Sequence, residues 1–218
     1  MLLQKEREAV VAYSRQMLAA GLTKGTGGNI SIRNGEYVAI SPSGLPYDTM
    51  RAEDVPVLRL ADASAADGTL RPSTEWEMHL LCLRGRDDIT AVVHTHSPFA
   101  TTVSCMGLSL PPVHFLMGCA GSTVPCIPYY TFGSPELARA AAAALPAGQN
   151  GILLGNHGLL AVGSDIAAAF SVAENLEMVC EIYWRTLAAG KEPVLLTEEQ
   201  MAASMASLAG YGQKKYGV

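Results

Sequence analysis

The run "AVVHTHSPFA" places two of the chain's five histidines, His94 and His96, one residue apart at the end of an apolar stretch. On a β-strand, residues i and i+2 share a face, so both imidazoles would converge on one point. Two imidazoles on one point suggest a metal ion, yet H-x-H alone also describes ordinary polar residues satisfied by their neighbours. His157, in "LLGNHGLL", sits at a tight turn between two apolar runs, where a side chain is available to a site. With His94 and His96 it makes three neutral nitrogen donors, the usual protein set for a catalytic zinc that keeps one position open. His79 reads as a helix-face residue, and His114 as a loop residue following two prolines.

Glu75, in "RPSTEWEMH", falls in the first turn of a helix. It reads either as a solvated carboxylate favoured by the helix dipole or as a group beside the metal, ligating it or acting as general base. Ser73 and Thr74 offer hydroxyls and free backbone N–H groups at the same helix start, which suits a phosphate. "KGTGGN" repeats the offer: Gly25, Gly27 and Gly28 permit close backbone approach, and Thr26 and Asn29 add donors. "SPSG", with Ser43 and Gly44, is a third turn of this kind. Three turns suited to an anion and one three-histidine point imply a phosphorylated, oxygen-rich substrate, held at one end and polarised at the other.

The elements that must position these residues follow from periodicity. Leu3 to Ala20 reads as an amphipathic helix stopped by Gly21. "NISIRNGEYVAIS" reads as a hairpin through Asn34-Gly35, "VPVLRL" as a strand, and "DASAADGTLRP" as a polar loop. "STEWEMHLLCLRGR" has helical spacing, with Thr74 and Glu77 fitting a capping box. "ITAVVHTH" reads as a buried strand, "SPFATTVSCMG" as a short helix and "STVPCIPYY" as strand-like. Ser134 and Pro135 open another helix. Two strands meet at Asn156-His157-Gly158, and a long helix from "SDIAAAF" closes at Gly190. Interleaved helices and strands with several hairpins predict an α/β fold whose sheet is largely antiparallel.

Composition restricts the partners. At 218 residues, without a linker, the chain is expected to form one domain over residues 1–218. A net charge of −5 argues against a nucleic-acid surface. No apolar run is long enough to span a membrane, and the charged start "MLLQKEREAV" does not read as a signal peptide. Five cysteines without a C-x-x-C pair read as reduced, buried thiols, so a cytoplasmic protein is expected.

Together, "GTGGNIS", "SPSG", "PSTEW", "HTHSP" and "NHG", in this order and spacing, resemble the zinc-dependent class II aldolase and adducin family, and the resemblance runs from the first helix to "KKYG". It implies a single-domain three-layer α/β sandwich with a mainly antiparallel central sheet, assembled as a homotetramer with active sites at subunit interfaces. It implies Zn2+, with Mn2+ or Co2+ as alternatives, on His94, His96, His157 and Glu75, the last also acting as acid/base. Substrate phosphate would rest on Thr26, Gly28, Asn29, Ser43, Gly44, Ser73 and Thr74. The implied reaction is retro-aldol cleavage of a ketose 1-phosphate to dihydroxyacetone phosphate and an aldehyde through a zinc-stabilised enediolate. Phe115, in "PPVHFLMGCAG", stands where fuculose-phosphate aldolases carry a proton-transferring tyrosine. A water, His114 or Tyr216 of "KKYG" would replace it, with Tyr211 as a further alternative. "TFGSPELA" and the N-terminal segment more closely resemble a branch acting on 5-deoxyribulose or 5-methylthioribulose 1-phosphate, salvage products related to S-adenosylmethionine. An apolar pocket with Phe115, Leu116 and Met117 would suit their methyl or thioether ends. Sugar-phosphate 4-epimerase, sugar-acid phosphate decarboxylase and a non-catalytic adducin-like interaction module are the family's other implied functions.

Overall fold

The computed structural model describes residues 1–210, so Tyr211 and Tyr216 lie outside the described residues. In chain order the elements are α1 (Gln4–Ala19), β1 (Asn29–Asn34), β2 (Tyr37–Ile40), β3 (Val57–Arg59), β4 (Ala65–Asp67), α2 (Trp76–Gly85) and β5 (Ala91–Thr95). They continue with α3 (Pro98–Cys105), β6 (Cys126–Ile127), α4 (Pro135–Ala143), β7 (Gly151–Leu154), β8 (Gly158–Gly163), α5 (Ile166–Ala188) and α6 (Glu198–Ala209). The strands form one sheet of eight in the order β4-β3-β2-β1-β5-β8-β7-β6. Among the described residues, no helix is long and apolar enough to cross a membrane.

The expectation of a mainly antiparallel sheet is met only in part, because the sheet is mixed. β6 joins β7 in parallel, while the other neighbouring strands pair antiparallel. The reason is that α4 carries the chain from β6 to β7, and such a helical crossover returns the chain in the same direction. Ser134 caps α4 as its sequence predicts, accepting from Leu137 N–H, with Pro135 at the first helical position.

Alternation along the central strands sorts side chains onto two faces. Ile30, Ile32, Ala91 and Val93 join one apolar cluster with Val10 and Met17 of α1, Val103 of α3 and Phe170 and Leu176 of α5. Val38, Ile40, Val92, Leu160 and Ile152 join a second cluster with Leu80 and Leu83 of α2 and Leu137 of α4. Helices therefore cover both faces. Asp165 caps α5 by accepting from Ala168 N–H, and Ala169, Phe170, Ala173, Leu176 and Cys180 give that helix its buried stripe.

Four readings need correction. The turn between β1 and β2 lies at Gly35-Glu36, because Asn34 still pairs with Tyr37; Gly35 supplies the positive φ of 59°. The polar segment after β3 contains the edge strand β4, whose short, half-exposed residues carry no hydrophobic alternation. The capping box of Thr74 and Glu77 does not form. Glu75 occupies the N-cap position of α2 without a capping hydrogen bond, since its carboxylate is turned toward the histidines. Of the five free cysteines, Cys82 and Cys180 are buried, Cys119 and Cys126 are half-buried and Cys105 is exposed, so only two fit the buried-thiol expectation.

One glycine decides how the first turn meets the sheet. Gly28 has φ 70°, and a Cβ there would lie 2.6 Å from the His94 carbonyl oxygen. Gly28→Ala therefore combines a disfavoured backbone region with a clash against a neighbouring strand, and should destabilise the protein by about 2 kcal/mol or more. Urea unfolding should show a lowered midpoint at unchanged m-value; an unchanged midpoint would refute this account of the turn.

Candidate functional site

His94 lies at the end of β5, directly opposite Asn29 of β1 on the face covered by α2. His94 Nδ1 is 2.9 Å from the Leu159 carbonyl oxygen, which can only accept, so that nitrogen carries a proton and Nε2 is turned into the site. His96 follows just beyond the strand. Its Nε2 is 3.0 Å from His94 Nε2, so the convergence expected from i, i+2 spacing is present. His157 arrives from the turn between β7 and β8, with its Nε2 3.2 Å from His94 Nε2. Asn156 takes a positive φ of 53° in that turn, and a Cβ on the adjacent Gly155 would meet the Ile127 carbonyl oxygen at 2.7 Å. Glu75 closes the group, with Oε2 3.3 Å from His94 Nε2 and Oε1 3.5 Å from His157 Nε2.

The electrostatics of the four residues are coupled. Burial holds His96 down to about 3 and His157 down to about 4, and the charge on His94 reinforces both shifts. Burial also opposes charge on His94, but the Glu75 carboxylate beside it outweighs burial and raises its pKa. Burial opposes charge on Glu75 in turn, and His94 more than offsets it, holding the carboxyl well below the usual range. Two polar atoms here, Glu75 Oε1 and His157 Nδ1, are buried with no hydrogen-bond partner. The four ligand atoms lie within 4.8 Å of one another. Three imidazole nitrogens and a carboxylate oxygen in that space fit a divalent cation of the zinc type.

A cavity of about 550 Å3 opens beside this group. Glu75, His96 and His157 line one part of it, and Thr26, Gly28, Asn29, Ser43, Gly44, Ser73 and Thr74 line another. The three turns are fastened together. Pro42 and Pro72 form an antiparallel bridge, Ser73 N–H donates to the Ser41 carbonyl, and Ser41 Oγ accepts from Ile30 N–H. The buried Tyr47 hydroxyl sits 2.6 Å from the Gly28 carbonyl and 3.0 Å from that of Gly27, pinning the glycine turn. On the far side, Glu177 of α5 accepts from Phe99 and Ala100 N–H and so caps α3 just after His96.

Sequence reasoning missed several members. Tyr129, Phe132 and Asn156 also line the cavity, and the two aromatic side chains are largely exposed. Their signal was "PYYTF", aromatics confined by a proline and a glycine and therefore hard to place in a core. His79 is wholly buried and bonds to Asn29 and Ser31; its position four residues after Glu75 puts both on one helix face.

Phe115, Leu116 and Met117 are not brought to this cavity within the chain. Phe115 and Leu116 line a separate, larger one of about 850 Å3, and Met117 is in the core. The larger cavity contains none of the histidines, and its Arg86 is already engaged by Asp88, Asn150 and the Gln149 carbonyl. His114 caps a short 3-10 turn, accepting from Leu116 N–H.

Residues 8–184 match the Class II Aldolase and Adducin N-terminal domain. The chain is 50% identical to the 5-deoxy-D-ribulose 1-phosphate aldolase of Bacillus thuringiensis serovar kurstaki, over 98% of this chain and 100% of that protein. It is 37% identical to the 5-methylthioribulose-1-phosphate/5-deoxyribulose-1-phosphate aldolase of Rhodospirillum rubrum, over 94% of this chain and 92% of that one. Among solved structures, an L-fuculose 1-phosphate aldolase superposes with a TM-score of 0.91 at 34% identity, covering 96% of this chain and 98% of the other.

If the four donors hold a divalent cation, Zn2+ or Mn2+ will raise the melting temperature of the metal-stripped protein. At a hundredfold excess over the dissociation constant the stabilisation should be about 2.7 kcal/mol. His94→Ala should abolish the metal-induced increment, whatever its effect on the starting temperature. An equal increment in the variant would place the cation elsewhere.

Proposed function

We propose, because the chain belongs to the class II aldolase and adducin family, that it is an aldolase cleaving 5-deoxyribulose or 5-methylthioribulose 1-phosphate to dihydroxyacetone phosphate and an aldehyde. The observation that carries this reading is the meeting, in one cavity, of a four-donor cation site and three turns rich in neutral hydrogen-bond donors. The names of the two relatives supply the substrate class.

In this reading the phosphate rests on Thr26, Gly28, Asn29, Ser43, Gly44, Ser73 and Thr74. Their donors are neutral, so a dianion is held by directed hydrogen bonds rather than by a fixed counter-charge. His94, His96, His157 and Glu75 hold a divalent cation, Zn2+ before Mn2+ or Co2+. When bound, that cation supplies Lewis acidity that lowers the cost of negative charge on the fragment carrying the phosphate. Cleavage removes the proton of the C4 hydroxyl and breaks the C3–C4 bond. The C4 fragment leaves as the aldehyde, and the electron pair stays on C3, which takes up a proton to give dihydroxyacetone phosphate. Glu75 Oε1, buried and without a hydrogen-bond partner, is the atom placed to hold and return that proton. Tyr216 is proposed from the resemblance as the phenol assisting at C4; among the described residues Tyr129 supplies a phenol on the cavity.

Tyr129 and Phe132 form an aromatic wall suited to a methyl or methylthio end. Phe115 is 48% exposed and absent from its own chain's cavity, which supports an assembly in which its ring faces the cavity of a neighbouring copy. A fourfold homotetramer acting in cytoplasmic salvage of such sugars completes the reading.

The test is release of dihydroxyacetone phosphate from 5-deoxyribulose, 5-methylthioribulose and fuculose 1-phosphates by metal-loaded enzyme. The first two should be cleaved with the higher kcat/KM, and Glu75→Gln should lower kcat by about 100-fold or more. Failure of all three substrates to yield the product would end the aldolase reading. The wall has its own test: Phe132→Ala should lower kcat/KM by about tenfold for the methylthio sugar and less for fuculose 1-phosphate, since a lost apolar contact of this size is worth about 1–3 kcal/mol. Equal losses on both substrates would remove Phe132 from specificity.

A further inference from the structure

Behind the cavity floor runs a line of four polar side chains whose inner half the proposed reaction leaves unexplained. Asn29 Nδ2 is 2.9 Å from Glu75 Oε2, Asn29 Oδ1 is 2.5 Å from His79 Nε2, and His79 Nδ1 is 2.7 Å from Ser31 Oγ. His79 and Ser31 are 0% exposed. His79 sits on the face of α2 that otherwise buries Met78, Leu80, Cys82 and Leu83. An apolar residue would fill such a position more cheaply than an imidazole, which has to keep both ring nitrogens satisfied.

The direction of every hydrogen bond in the line is forced. An ionised Glu75 only accepts, so the part of the Asn29 amide facing it must be Nδ2–H. Asn29 Oδ1 then faces His79 and also only accepts, so the proton of the imidazole lies on Nε2. In a neutral ring, Nδ1 is left as an acceptor, and the Ser31 hydroxyl donates to it. The reversed amide would set its oxygen 2.9 Å from a carboxylate oxygen, two acceptors with no proton between them, so the Glu75 end alone fixes the amide and, through it, the tautomer of His79. One Nδ2–H of Asn29 remains unassigned, and Asn29 lines the cavity beside Thr26 and Ser73.

We propose that His79 is a positioning residue: anchored on Ser31, it fixes the Asn29 amide so that one N–H holds Glu75 and the other is offered to the substrate phosphate. The two halves of the site are thereby joined through a single side chain. This rests on the reading of the turns as a phosphate site and of Glu75 as the acid/base group. It adds a residue outside the cavity that sets the geometry of both, and it explains why the glycine turn ends in asparagine rather than another hydroxyl residue: only an amide has two N–H bonds and an oxygen on one planar group.

The test compares His79→Leu, which removes both bonds at similar volume, with His79→Gln, which keeps an N–H able to reach Asn29. In metal-loaded protein, His79→Leu should weaken inorganic phosphate binding by about tenfold and lower kcat by a similar factor, and His79→Gln should restore both to within about threefold of wild type. Unchanged phosphate affinity in His79→Leu would overturn the proposal. So would equal losses in both variants that follow their melting temperatures, since those describe packing alone. The wild-type protein gives an independent reading through 15N NMR of labelled histidine, where His79 should be the neutral Nε2–H tautomer. The Nδ1–H tautomer would overturn the proposal whatever the variants do. Phosphate affinity and tautomer are read without turnover, so failure of the aldolase reading shows separately, as a wild-type enzyme that releases no dihydroxyacetone phosphate.

Discussion

Three imidazole nitrogens and a carboxylate oxygen held within 4.8 Å of one another are the constraint on which the surrounding structure depends. Such a group does not assemble on its own. Each side chain gives up water, and neutral ring nitrogens facing each other gain little unless a proton or a cation lies between them. The fold holds each member from behind instead. His94 is tied through Nδ1 to the Leu159 carbonyl on the adjacent strand. His96 is backed by Gly27, where a Cβ would come within 2.8 Å of its Nδ1, and by a helix that Glu177 caps. His157 is set by a turn whose Asn156 is in the left-handed region. Glu75 forgoes capping its own helix, and Asn29 holds it. The backbone restrictions around the site are the counterpart of those four placements.

The same arrangement explains why the glycine turn lies where it does. β1 and β5 pair so that Asn29 stands opposite His94, and the chain must therefore enter β1 directly across the His94 carbonyl. Only a residue without Cβ passes there, which Gly28 supplies. Tyr47 then fixes the turn by bonding its two carbonyls, with a hydroxyl that burial and, secondarily, the Glu75 charge keep protonated. The neutral donors of the turn and the charged group at the histidines are thus set by one strand pairing rather than by separate scaffolds. A register slip of one residue between β1 and β5 would turn Asn29 to the opposite face and separate them.

What could be read from the sequence was what is local. The i, i+2 histidines, the Asn-His-Gly turn, the cap at Ser134 and the hydroxyl-rich turns each state their geometry within a few residues. The cap at Thr74 failed for a non-local reason: the carboxylate at Glu75 is drawn across the sheet to the histidines, and the helix starts one residue later than its capping pattern asks. β4 was hidden because an exposed edge strand needs no alternation. His79 was assigned to a helix face without a partner, since its partners Asn29 and Ser31 lie about fifty positions earlier. Phe115, which the resemblance places at the site of a neighbouring copy, lines another cavity in its own chain; the aromatic side chains beside the histidines are Tyr129 and Phe132.

The distribution of charge in the cavity bears on turnover as well as on binding. A phosphate dianion fixed by the point charge of a lysine would be held by a strong, weakly directional attraction that acts equally on substrate and product. Here the turns present hydroxyls and amides, whose attraction depends on angle and is lost when the phosphate shifts. In the proposed reaction negative charge develops on the carbon fragment and not on the phosphate, and a cation held by His94, His96, His157 and Glu75 would supply the charge stabilisation that differs between ground state and transition state. Binding shared by substrate and product raises affinity without raising rate, whereas charge stabilisation confined to the breaking bond lowers the barrier itself. In the proposed reading, neutral donors at one end and a cation held at the other would divide those two tasks between separate groups, and the Asn29 amide is the point at which the two groups touch.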